Sequence, residues 1–147
     1  MTDTCSNAQT QTENDFNQFL DTLDLSIEKF LNGDAELFLE LWAKSDDITI
    51  AGGFGGPIEK GWNSIGTRLK KVDAVYSHAD FQTERIETKV KGNLGYLIQH
   101  EQITFSSDKN DEQLVRNYRI TMIFEKWEDG WKIIHRHADP NMEWKSP

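Results

Sequence analysis

The chain has 147 residues, enough for one domain core but hardly for two. Sixteen Lys and Arg against 25 Asp and Glu leave a formal charge of -9, which excludes the broad basic field that a nucleic-acid partner needs. A lone cysteine, Cys5, excludes an intrachain disulfide framework and any multi-cysteine metal site.

Residues 1–11 are polar and lack the cationic start and apolar run of a secretory leader, so a flexible N-terminal segment and a cytoplasmic protein are expected. No stretch reaches the roughly 18 apolar residues needed to cross a bilayer, and no membrane partner is expected. A single domain is expected over 12–140, followed by a tail at 141–147.

From Phe16 the apolar positions Phe19, Leu20, Leu23, Ile27, Phe30 and Leu31 recur at intervals of three and four, which predicts one face of a helix. Asn32-Gly33 ends it, and Asp34 can cap a second, shorter helix carrying Leu37, Phe38, Leu41 and Trp42. Ile48-Thr49-Ile50 is a short strand candidate, and Gly52 to Pro57 is a loop. A third helix starts near Gly61, with Trp62, Ile65, Leu69 and Val72 on its packing side.

The second half reads as strands. Ile86, Thr88 and Val90 alternate with charged residues, Gly92-Asn93 turns the chain, and Tyr96–Phe105, Leu114–Trp127 and Trp131–Ala138 follow. Residues 106–111 form a polar connection, and Glu128-Asp129-Gly130 a tight reversal. Helices first and antiparallel strands later favour α+β over a doubly wound α/β domain.

With Asp129 and Gly130 as the loop of the last hairpin, Met122 falls opposite His137, Phe124 opposite His135 and Ile120 opposite Asp139. Tyr118, Ile120, Met122, Phe124, Trp131, Ile133, His135 and His137 then share one surface. Either histidine can exchange a proton near neutral pH, with Asp139 fixing a tautomer or acting as a base; core packing is the competing role. Glu101 shares a face with Gln99, Ile103 and Phe105, and Arg119 on a neighbouring strand can pair with it or with an acidic ligand. Trp42, Phe54 and Trp62 bracket the glycine-rich loop and can cap a cavity or simply fill a core, and one of Asp46 and Asp47 can enter a pocket. His135, His137 and Asp139 have metal-ligand spacing, yet any third or fourth ligand must come from a separate element, so no metal and no cofactor are expected. The Gly52–Gly56 run lacks the lysine and hydroxyl of a phosphate loop.

The Leu41-Trp42 helix end, Asp46-Asp47 before Ile48-Thr49-Ile50, Gly55-Gly56 followed by Gly61-Trp62, and above all Gly130-Trp131-Lys132-Ile133-Ile134-His135-Arg136-His137-Ala138-Asp139-Pro140 resemble the SnoaL-like, or DUF4440-like, branch of the NTF2-like superfamily, which includes ketosteroid isomerases. The last segment is also similar to the end of the association domain of calcium/calmodulin-dependent kinases. The resemblance implies an NTF2-like cone, three helices in the N-terminal half packed on a strongly curved antiparallel sheet, with an internal cavity and homodimerisation across the sheet. It implies an acid/base isomerase or cyclase acting on a compact carbonyl compound, or alternatively a noncatalytic ligand-binding or homo-oligomeric association module. The expected catalytic residues are Glu101, His135, His137 and Asp139. The expected ligand contacts are Trp42, Asp46, Phe54, Trp62, Tyr118 and Arg119, around a small apolar or carbonyl-containing molecule.

Overall fold

The computed structural model describes residues 3–73, 76, 78–106 and 112–147. Helix α1 (Asp3–Phe30) carries Phe16, Phe19, Leu20, Leu23, Ile27 and Phe30 as a buried stripe against the sheet. It begins well before the first residue of that stripe. Its polar first half is supported by pairs one turn apart, Gln9 to Glu13 and Gln11 to Asp15, and by the Gln9 amide on the Val90 carbonyl. Gly33 ends the helix at φ +90°, where the Asp34 N–H reaches back to the Lys29 carbonyl. Both amide atoms of Asn32 pair with the backbone of Ala79, which ties this helix end to the residue preceding Asp80.

Helix α2 (Glu36–Leu41) buries Phe38; its N-cap is Ala35, and Asp34 assists by accepting the Glu36 N–H. After β1 (Thr49–Ala51) and β2 (Glu59–Lys60), helix α3 (Trp62–Asp73) packs Ile65 and Leu69 inward. The long strands β3 (Asp80–Lys91), β4 (Leu94–Ser106), β5 (Gln113–Trp127) and β6 (Gly130–Pro140) complete the chain. The expected connection at 106–111 lies, apart from Ser106, outside the described residues, as does the Cys5 side chain.

The strands form one sheet in the order β2-β1-β6-β5-β4-β3. This corrects the expected architecture: the sheet is mixed and open with β2 and β3 as free edges, and is neither wholly antiparallel nor a strongly curved cone. The reason is β1. It runs parallel to β6, Thr49 beside His135 and Ala51 beside His137, an arrangement that needs the long excursion through β2, α3 and β3 to β5. The three helices cover the inner face, where Phe16 meets Trp131 at 5.0 Å and Phe19 meets Phe124 at 5.2 Å between ring centroids.

Two β-bulges decide which side chains face that core. In β3 the register shifts between Arg85 and Glu87, and Ile86 is left 54% exposed instead of packed. In β6 the shift is at Ile134: Phe124 pairs with Ile133, but Ile123 pairs with His135. The loop residues of this hairpin are Glu128 and Asp129, since Trp127 pairs with Gly130.

Candidate functional site

Before the Ile134 bulge, odd-numbered residues of β6 face the helices, and Trp131 and Ile133 are buried there. One extra residue reverses this alternation. Beyond it Arg136 and Ala138 turn inward, with Arg136 opposite Met122 and Ala138 opposite Ile120. The expected placement of His135 and His137 on the inner surface is therefore corrected: both lie on the outer face, and so does Asp139.

The inward guanidinium of Arg136 meets Glu101, whose place on β4 beside Gln99 and Ile103 follows the alternation of that strand. Arg136 Nη2 donates to Glu101 Oε1 at 2.7 Å and Nη1 to Oε2 at 3.2 Å; Gln99 Nε2 donates to Oε2 at 2.8 Å. Glu101 is 1% exposed, so its charge is held by these donors rather than by water. The chain of polar contacts continues outward. Arg85 Nε donates to Gln99, and Arg85 Nη2 pairs with Asp24 of α1 at 2.7 Å. Burial pushes the Asp24 carboxyl up from its ordinary value, against the opposing pull of Arg85.

Glu101 and Arg136 form the polar end of a cavity of about 80 Å³ between the helices and the sheet. Its apolar wall comes from Ile27, Phe30, Leu31 and Phe38 at the first two helices and Leu69 and Val72 of α3, with the Gly52–Phe54 loop, Tyr76 and Tyr118 around it. Burial, and then the neighbouring Tyr118, raise the Tyr76 phenol well above the ordinary range, so it stays protonated and can donate. Phe54, 46% exposed, stacks on Tyr76 at 6.1 Å and closes one side. Gly53 allows the close approach of this loop: a Cβ there would stand 2.6 Å from the Tyr118 ring. Gly53→Ala is expected to push the loop or the phenol out of place and to cost about 1–3 kcal/mol, measured by urea unfolding and by the near-ultraviolet signal of the tyrosines.

Of the expected site residues, Glu101, Tyr118 and Phe54 line this cavity. Arg119 does not pair with Glu101. It sits opposite His100 in the ladder, a step out of phase with Glu101, and forms a two-pronged outer-face pair with Asp139 at 2.9 and 2.7 Å. That pair holds the Asp139 carboxyl below its ordinary value. Trp42 is fully buried in the core against Phe38, 6.2 Å away; Trp62 lies under the Lys44 ammonium; Asp46 is exposed; none of the three lines the cavity. Sequence patterning did not point to Arg136, Arg68 or Tyr76, although the adjacent Ile133 and Ile134 break the alternation of β6 and mark the bulge. Among the described residues no three His, Cys, Asp or Glu side chains gather as a metal site, and no helix is long and apolar enough to cross a membrane.

On the outer face His135 Nδ1 lies 2.7 Å from the Thr49 hydroxyl. Burial and the nearby His137 lower its pKa, so the unfolded chain takes up the proton first as pH falls. Stability is therefore expected to drop as pH descends below about 6.5, the ordinary histidine value. His135→Gln should flatten that part of a plot of urea midpoint against pH.

A family model described as a SnoaL-like domain matches residues 20–141, from within α1 to the end of β6. The chain belongs to the SnoaL-like family. No curated protein matches this SnoaL-like chain. Among solved structures, an NTF2-like family protein from Streptomyces avermitilis shares 19% identity at a TM-score of 0.78, over 89% of this chain and 99% of that one. A ketosteroid isomerase-like protein from Erwinia carotovora atroseptica shares 14% at 0.68, over 84% and 93%. The association domain of C. elegans CaMKII shares 15% at 0.62, over 89% and 97%. At these identities the likenesses establish the SnoaL-like fold and leave the chemistry to the cavity.

Proposed function

We propose that this SnoaL-like chain binds a compact carbonyl compound in the Glu101 cavity and moves a proton on it, as an isomerase or cyclase would. The observation that carries this reading is a carboxylate, 1% exposed, in the wall of a largely apolar cavity that two phenols, Tyr76 and Tyr118, also line. A carboxylate has about four acceptor positions, and Arg136 and Gln99 occupy three, which leaves one for a substrate proton. In this reading Tyr118 and the protonated Tyr76, which line the same cavity, donate to a carbonyl oxygen as charge develops on it. Asp139, His135 and His137 have no part in this reading, because they lie on the other face.

Exchange of α-protons of small ketones such as cyclopentanone with deuterated water, followed by NMR, tests it without a known substrate. The protein should accelerate exchange, and Glu101→Gln should remove about 10²–10⁴-fold of the acceleration. Equal rates with both proteins would contradict proton transfer.

One observation favours a second reading, a homo-oligomeric association module. The outer face exposes Ile86, Tyr96, Ile98 and Ile123, an apolar surface that suits a second copy of this chain. A dimer mass in solution that falls to a monomer on Ile98→Lys would support it.

A further inference from the structure

Two arginines beside the Gly52–Phe54 loop have no acidic partner among the described residues: Arg68, which lines the cavity, and Arg116, which stands just outside its lining against Phe54. Arg68 of α3 lines the cavity and donates from Nη2 to the Gly55 carbonyl at 2.9 Å and from Nη1 to the Pro57 carbonyl at 3.5 Å. A guanidinium has five N–H donors, so three remain for a ligand. Arg116 of β5 lies over the Phe54 ring at 5.1 Å and over Phe105 at 5.7 Å. Among the described residues neither arginine forms an ion pair, whereas Arg85, Arg119 and Arg136 each do. Glu59 borders the same groove as Arg68, but its carboxylate accepts the Ser64 hydroxyl at 2.6 Å.

Two guanidinium groups unmatched among the described residues stand out on a chain whose formal charge is -9. They flank the same loop, Arg68 gripping its backbone and Arg116 its phenylalanine. Most of the remaining lining is apolar, and its buried ion pair, Glu101 with Arg136, is already neutralised. A neutral ligand would leave Arg68 and Arg116 unmatched. A carboxylate fits a guanidinium in a planar, two-pronged way that no neutral group reproduces.

We propose that the ligand class of this cavity is a compact carboxylic acid, its apolar body among Phe30, Phe38 and Leu69 and its carboxylate held by Arg68 and Arg116. This rests on the cavity reading above and adds the charge of the ligand. The test uses two matched probe pairs, benzoate with benzamide and cyclopentanecarboxylate with its amide, titrated into the full chain by calorimetry and by NMR. Each acid should bind about tenfold or more tightly than its amide, as expected for hydrogen bonds to a charged group, and the advantage should shrink with added salt. Arg68→Gln and Arg116→Gln should each remove most of the advantage while amide affinity stays about constant.

Equal binding of acid and amide to cavity residues would overturn the acid class and leave the cavity reading standing. Failure of all four probes to perturb any cavity residue would overturn both. Because Arg68 also holds the loop, a loss of amide binding in its variant would signal a displaced loop. Arg116→Gln, which frees no backbone group, then decides: an unchanged acid-to-amide ratio in that variant would overturn the proposal.

Discussion

Arg136→Met is expected to lower the unfolding free energy by about 3–5 kcal/mol, because it strands the Glu101 carboxylate in the interior with Gln99 as its remaining donor. Glu101→Met should cost a similar amount by leaving a guanidinium, 15% exposed, without its counter-charge. The double variant should recover most of the loss, since two apolar side chains of similar volume carry no desolvation cost. Urea unfolding of the four proteins completes the cycle, and a coupling energy well above 1 kcal/mol is the expected result. Additive losses would mean that the two groups do not meet.

Deletion of Ile134 is expected to have the opposite outcome. Without the extra residue His135 follows Ile133 directly, so Ile123 still sits opposite His135 and Met122 opposite Arg136, and the guanidinium stays inside. Glu101 keeps its partner, and both imidazoles stay on the outer face. The loss in urea unfolding should therefore fall well short of the Arg136→Met effect, and the coupling between Glu101 and Arg136 should survive in the deletion background. Ile134→Ala keeps the backbone count and loses only a half-buried side chain, so it too should cost little. A deletion as damaging as Arg136→Met would show that removal of the bulge reverses the facing of this strand.

The contrast between these two changes shows what the chain reveals locally and what it hides. The stripe of α1 was legible because spacings of three and four leave little choice of buried face, and the buried set from Phe16 to Phe30 is the predicted one. Alternation on β4 likewise separated Glu101 from His100. Their partners were not legible. Glu101 meets a residue 35 positions away, and the facing of that residue depends on one inserted residue whose local trace is two consecutive isoleucines. Arg119 was a reasonable partner by charge, yet a ladder offset of one residue carries it to the outer face and to Asp139. The open, mixed sheet was hidden for a similar reason: β1 pairs with a strand more than 80 residues later, in a sense that only the whole chain path determines. Tyr76 and Arg68 join the cavity from a helix exit and a helix face that short-range patterns treat as ordinary surface.

Electron density over Ile133 to Ala138, in a crystal structure that resolves side chains, tests the central claim most directly. The account predicts a bulge at Ile134, the Arg136 guanidinium in a two-pronged contact with Glu101, and both imidazoles on the opposite face of the sheet. An unbroken ladder with His135 and His137 in the cavity and Arg136 in solvent would contradict it.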